Sequence, residues 1–200
     1  MKNLYLLRHA QSEGNKLGLF QGSLDLPLSD EGKKQAIQAV EKLKEYHFEV
    51  IYTSPQKRAL ETATIIADRL GLPLKRDERL REISYGILEG KKHSEVREWE
   101  IYQKWLENPL KNPLENAENL FDAQRRFLEF LKELSEERIL IVTHGGIVRV
   151  ALCTVAGIPL NFIWKFSVGN CSLTKLEIKE LEPLTGKVKF VNYPLVEKAD

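Results

Sequence analysis

Leu4-Tyr5-Leu6-Leu7-Arg8-His9-Ala10-Gln11-Ser12-Glu13-Gly14-Asn15 is the stretch that decides the fold. Four apolar residues run straight into an arginine and a histidine, and small polar residues follow. A short apolar run of this kind reads as a strand buried on both faces. Arg8 and His9 then stand where the strand ends, which in an open α/β sheet is the end where ligands bind. The pattern returns at Arg138-Ile139-Leu140-Ile141-Val142-Thr143-His144-Gly145-Gly146, where the glycines let backbone approach a ligand closely. If the two strands are parallel neighbours, His9 and His144 face each other across one pocket. A lone histidine at a strand end is more often a hydrogen-bonded structural residue. Two of the chain's four histidines at matching strand ends, one of them next to an arginine, point to chemistry instead.

Composition narrows the classes. The 200 residues fit one domain, residues 1–200, with a small inserted cap at about 91–118. Apolar content of 42% is ordinary for a globular chain. Thirty basic and 29 acidic residues leave a net charge of +1, so no global field favours nucleic acid or an anionic membrane. Cys153 and Cys171 show neither metal spacing nor a disulfide framework and read as packed free thiols. No apolar run approaches a membrane span, and the opening Met-Lys-Asn leads directly into a strand. The expected location is the cytoplasm.

Working outward, Lys16 to Leu28 is a loop, and Ser29 caps a helix whose buried face carries Ala36, Val40 and Leu43. Val50 to Thr53 is a second strand. Ser54-Pro55 reads as a cap and then a first-turn proline, opening a helix that ends at Gly71. Leu74 to Arg76 is a third strand, and residues 79 to 92 form an ordered loop. Ser94 to Leu106 reads as one helix, with Trp99, Tyr102 and Trp105 sharing part of a face. A linker with two prolines follows, then an amphipathic helix from Leu120 to Leu134. After the second histidine strand, Ile147 to Val155 is apolar almost all round, as a buried helix is. Ser172 to Ile178 and Val188 to Tyr193 alternate and suggest a closing hairpin through Pro-Leu-Thr-Gly. The sum is a three-layer α/β domain with a small helical cap.

Arg8, His144 and Arg58 all stand at element ends. A tetrahedral dianion needs several donors around it, and guanidinium forks suit it well. Arg58 taken alone reads as a surface salt bridge with Glu61 or Glu78; beside Arg8 and His144 a phosphate site becomes the better reading. Other routes to phosphoryl transfer lack their residues. Gly86 to Lys91 lacks Walker spacing, no two histidines have zinc spacing, and no aspartate pair suits magnesium. A histidine nitrogen remains as nucleophile, and His9 is the candidate because Arg8 adjoins it and residues 10 to 14 are small.

At this point the sequence resembles the histidine phosphatase superfamily, with its phosphoglycerate-mutase-like fold. The resemblance starts at Leu7-Arg8-His9-Ala10-Gln11-Ser12-Glu13-Gly14-Asn15, with Ala10 in place of the commoner glycine. It continues through Gln21-Gly22, Asp25, Leu28-Ser29 and Gly32, then Thr53-Ser54-Pro55 with Arg58 and Thr62-Ala63. Leu80-Arg81-Glu82, Tyr85-Gly86, Glu89-Gly90, Val142 to Gly146 and Asn170-Cys171-Ser172 complete it. It implies that His9 is phosphorylated and that Arg8, Arg58 and His144 bind the transferred group. Asn15, Gln21, Gly22 and Gly145 are implied to contact the phosphoryl group or the substrate. Glu82 is implied to protonate the leaving oxygen and then to activate water. By residue chemistry alone Glu82 reads equally well as a partner of Arg79 or Arg81 on an exposed loop. Glu89 is expected to be structural.

Mutases of this kind carry a long insertion after the position of Gly90, whereas here only residues 91 to 119 precede the amphipathic helix. That favours a small phosphatase, although Tyr85-Gly86 resembles the mutase loop. The usual Gly-Glu-Ser before the long helix is Ala117-Glu118-Asn119 here. The resemblance implies a metal-independent phosphatase of small phosphorylated metabolites that needs no metal or cofactor, and it allows a homodimer. The alternatives are a cofactor-dependent phosphoglycerate mutase and, remotely, a non-catalytic phosphate-binding regulatory relative.

Overall fold

The computed structural model describes residues 1–196. In chain order its elements are β1 (Lys2–Arg8), α1 (Glu13–Lys16), α2 (Asp30–Leu43), β2 (Val50–Thr53), α3 (Lys57–Leu70) and β3 (Leu74–Arg76). They continue with α4 (His93–Val96), α5 (Glu100–Glu107), α6 (Leu120–Lys132), β4 (Arg138–Thr143), α7 (Gly145–Ala156), β5 (Ser172–Leu181) and β6 (Leu184–Pro194). The strands form one mixed sheet in the order β3-β2-β4-β1-β5-β6. The first four run parallel, and β5 and β6 close the edge antiparallel.

Why the central strands read as unbroken apolar runs is now visible. Successive side chains of a strand point to opposite faces, and both faces of β1 and β4 are covered. Leu4, Leu6, Ile139 and Ile141 enter the core beneath α6 and α7, with Phe127, Phe130 and Ile147. Tyr5, Leu7, Leu140 and Val142 enter the core beneath α2 and α3, with Ala36, Val40, Ala59, Ala63 and Ile66. The three layers expected from the sequence are present. Phe127 and Phe130 are almost fully buried, and truncating either to alanine costs about 3–5 kcal/mol.

A third, smaller cluster joins Phe20, Leu88, Val96, Trp105 and Leu114. It holds the segment from Tyr85 to Ala117 over the site, with backbone bridges at Leu19–Lys92 and Tyr85–Ala117. This cluster explains one departure from the sequence reading. Val96 and Trp105 bury in the same place, but on one unbroken helix of 3.6 residues per turn they would face opposite ways. The chain therefore breaks between α4 and α5. Trp99 becomes the residue before α5 and is 37% exposed, with the Lys91 ammonium 5.5 Å from its ring centre.

Two further expectations need correction. Ser54 does not cap the second long helix: α3 starts at Lys57 after Gln56, and the Ser54 hydroxyl pairs with His144 instead. The hairpin turn is Glu182-Pro183 alone, because Leu184 already pairs with Leu181 and Gly186 with Ile178. The caps of the two long helices agree where read: Ser29 accepts from the Gly32 N–H at the start of α2, and Gly71 ends α3 in the left-handed region. Both cysteines are free and buried, which pushes their thiols up to about 11 for Cys153 and about 12 for Cys171.

Candidate active site

β1 and β4 are parallel neighbours, with Arg8 opposite Thr143. One step further the His9 N–H donates to Thr143 O at 2.9 Å, so the two chain ends turn away together. The rings of His9 and His144 meet edge to face with centroids 5.2 Å apart. The antiparallel neighbour locks this corner. Cys171, held at φ 49°, donates its N–H to Arg8 O at 3.1 Å. The Asn170 amide donates to His9 O and to Asn15 Oδ1, each at 3.0 Å.

His9 Nδ1 lies 2.7 Å from Ala10 O. A carbonyl only accepts, so Nδ1 carries the proton and Nε2 keeps its lone pair. Burial, then the charges of Arg58 and Arg8, hold His9 well below the usual histidine range, so the ring is neutral at neutral pH. His144 is depressed for the same first two reasons, burial and Arg58. Its Nε2 pairs with Ser54 Oγ at 2.8 Å, and its Nδ1 is buried without a partner.

Arg58 is 1% exposed, which overturns the surface ion pair as its role. It donates through Nη1 to Leu24 O at 2.6 Å and through Nη2 to Gly22 O at 2.8 Å. Glu61 instead accepts from the Leu28 N–H at 2.9 Å. Arg8 donates through Nη1 to Val168 O at 2.6 Å. Burial, and next the neighbouring Arg149, lower Arg8 to about 10. The Nε of each arginine is buried without a partner. Arg8 Nε, Arg58 Nε and His144 Nδ1 are thus three polar atoms near His9 that the fold itself leaves unsatisfied. Such atoms are costly unless a ligand meets them.

Glu82 is 8% exposed and is not a partner of Arg79, which pairs with Asp77 and Glu133 at 2.6 and 2.7 Å. Its carboxylate accepts from the Ile83 N–H at 2.9 Å and the Gly146 N–H at 3.2 Å. A Cβ at Gly146 would meet Glu82 Oε1, so a larger residue there would displace the carboxylate. Gln56 bridges the two halves of the site: Oε1 accepts from the Glu82 N–H and Nε2 donates to Gly22 O, both at 2.8 Å. Glu89 accepts from the Ser23 and Tyr85 N–H groups and the Ser23 and Ser84 hydroxyls. It braces that loop, in keeping with a structural part.

These residues open onto a cavity of about 260 Å³. Arg8, His9, Asn15, Gln21, Gly22, Arg58, Glu82 and Gly145 all line it. His144 does not; it is fully buried behind His9. Sequence reasoning missed the rest of the wall: Arg149, and an aromatic side made by Phe20, Tyr85, Tyr102, Trp105 and Trp164 with His93. One signal was available for Arg149, which is the only charged residue of the otherwise apolar α7. Among the described residues no three His, Cys, Asp or Glu side chains gather as a metal site.

Residues 4–189 match the model of the histidine phosphatase superfamily, branch 1. The chain belongs to that superfamily. It is one of the histidine phosphatases, and it has their phosphoglycerate-mutase-like fold. Phosphoserine phosphatase 1 of Hydrogenobacter thermophilus is 35% identical over 90% of this chain and 88% of its own. A second protein of that organism, provisionally named phosphoserine phosphatase 2, is 40% identical over 90% of this chain and 91% of its own. The mycobacterial glucosyl-3-phosphoglycerate phosphatase, solved with VO3, superposes on this histidine phosphatase with a TM-score of 0.87. It is 26% identical and covers 96% of this chain and 100% of its own.

Proposed function

We propose that this histidine phosphatase hydrolyses small phosphomonoesters through a phosphohistidine at His9, without a metal ion. The observation that carries the reading is the pair of buried, partnerless guanidinium nitrogens on Arg8 and Arg58 in the cavity wall, next to a histidine whose Nε2 is free. Phosphoryl oxygens are the natural partners of the two guanidinium nitrogens, whose side chains line the cavity beside His9. His9 Nε2 attacks phosphorus, the bond to the ester oxygen breaks, and Glu82 protonates the departing alcohol. A water then gives its proton to Glu82 and attacks phosphorus; the P–N bond breaks, releasing phosphate and restoring His9. Asn15, Gln21, Gly22 and Gly145 border the volume left for the substrate. Residues 91–118 serve as the cap above it. The names of the relatives, phosphoserine phosphatase and glucosyl-3-phosphoglycerate phosphatase, support small phosphorylated metabolites as substrates.

One observation favours a second reading, a phosphoglycerate mutase: Tyr85-Gly86, similar to the mutase loop, borders the cavity at Tyr85. Steady-state assays separate the two. Purified protein treated with EDTA should hydrolyse p-nitrophenyl phosphate and release inorganic phosphate from alkyl phosphomonoesters. Conversion of 3- to 2-phosphoglycerate outpacing phosphate release would favour the mutase. Loss of activity in EDTA, restored by magnesium, would remove the metal-free mechanism.

A further inference from the structure

Arg149 has no part in the chemistry above, yet it is placed with care. It projects from an otherwise apolar helix. Its Nε donates to Phe166 O at 2.9 Å, and its guanidinium lies over the Trp164 ring, 5.5 Å from the centre. These contacts fix the plane and direction of the fork. Among the described residues its terminal nitrogens have no hydrogen-bond partner, and the side chain borders the cavity.

Its position relative to Arg8 is the second observation. A Cβ built on Gly145 would lie 2.9 Å from Arg149 Nη1 and 3.5 Å from Arg8 Nε. The glycine therefore keeps open a narrow gap between two guanidiniums. Like charges so close repel: Arg149 is the largest charge acting to lower Arg8. A brace between α7 and the 160s needs no charge, and a neutral side chain would avoid that repulsion.

Charge balance supplies the third. The cavity is lined by three arginines, Arg8, Arg58 and Arg149, against one carboxylate, Glu82. When Glu82 carries the proton it donates, a phosphomonoester dianion balances two of the three positive charges. One guanidinium is left over, planar, backed by an indole and free at its outer edge. A carboxylate matches it in shape and charge, since the two pair through parallel N–H···O bonds.

We infer that Arg149 is the specificity residue of this cavity and binds a carboxylate that the substrate carries a short carbon chain away from its phosphomonoester. The inference rests on the phosphatase reading and narrows its substrate class to phosphorylated hydroxy or amino acids. The gap at Gly145 sets the short spacing, and the aromatic side of the cavity takes the intervening carbons.

Matched substrates test it. 3-Phosphoglycerate and glycerol 3-phosphate differ by a carboxylate in place of a hydroxymethyl group, and phosphoserine and phosphoethanolamine differ by the carboxylate alone. The protein should favour the acid of each pair in kcat/KM by about 10- to 100-fold, the range of a charge-assisted pair. Arg149→Gln should bring both ratios close to one, mainly through KM, and Arg149→Lys should fall between. Ratios near one in the unmodified protein, or unchanged ratios in Arg149→Gln, would overturn the inference. So would equal losses on both members of a pair with a lowered Tm, which mark a brace. Preference for fructose 1,6-bisphosphate over the acids would overturn it by making the second anion a phosphoryl group. Failure to hydrolyse any ester, p-nitrophenyl phosphate included, would take down the phosphatase reading itself.

Discussion

The two sides of the cavity are built differently. The inner side comes from strand ends and helix starts, and directional hydrogen bonds to backbone hold it. Arg58 is tied to two carbonyls, Glu82 to two N–H groups, and His9 to Ala10 O. The outer side comes from α5, the Tyr85 loop and the 160s, and it is held by ring contacts. Trp105 and Trp164 lie 4.5 Å apart, Phe20 and His93 3.8 Å, and Phe20 and Tyr102 5.6 Å. Ring packing is broad and tolerant, whereas a bonded guanidinium or carboxylate has one position. On the proposed function, the chemistry falls to groups anchored to the sheet and the fit of the substrate to the ring-packed side.

If that division is right, substitutions should sort by side. The largest loss should come from His9→Ala: turnover falls by at least about 10⁴-fold on every ester, because no second nucleophile replaces Nε2. Glu82→Gln comes next and should depend on the leaving group. An alkyl phosphate should slow by about 10²–10⁴-fold in the phosphorylation step, while p-nitrophenyl phosphate, whose leaving oxygen needs little help, loses far less. Equal losses on both in rapid-quench experiments would remove Glu82 from the acid role. Arg58→Ala should slow both esters alike, by about 10²–10³-fold. It should also lower stability, since Leu24 O loses its donor and Gly22 O keeps only that from Gln56.

On the outer side, Trp105→Ala should raise KM more than it lowers the rate of His9 phosphorylation, with a stability loss of about 3–5 kcal/mol. A change confined to the phosphorylation rate would break the division.

The smallest effect concerns pH. His9 and His144 are both held well below the usual histidine pKa, so only the unfolded chain takes up their protons as pH falls through about 6.5. Their contribution to stability is present above that pH and lost below it. Stability therefore falls as pH drops below that value. Urea unfolding between pH 7 and 5 measures it, and His144→Gln should make the fall shallower.

How much of this could be read from the sequence follows the same division. Strand ends announce themselves, because an apolar run that stops at Arg-His or Thr-His-Gly-Gly places those residues whatever surrounds them. The inner residues came together accordingly. Residue patterns alone left Arg58 and Glu82 open between catalysis and surface pairing, since burial of a charged side chain depends on carbonyls and N–H groups distant in the chain. The aromatic wall was largely hidden. Trp105 meets Trp164 across a long separation in sequence, and the break between α4 and α5 follows from where Val96 and Trp105 bury, which local pattern does not encode. Ser54 misled for a related reason: its hydroxyl answers a histidine ninety residues away rather than its own helix.

The central claim is that the phosphoryl group is held on His9 Nε2 by the inner side. Rapid alkaline quenching of a reaction started with labelled phosphomonoester, followed by peptide mapping, tests it directly. The account predicts a phosphoprotein stable in base and labile in acid, with the label on His9 and none in His9→Ala. A label on any other residue, or undiminished turnover in His9→Ala, would contradict it.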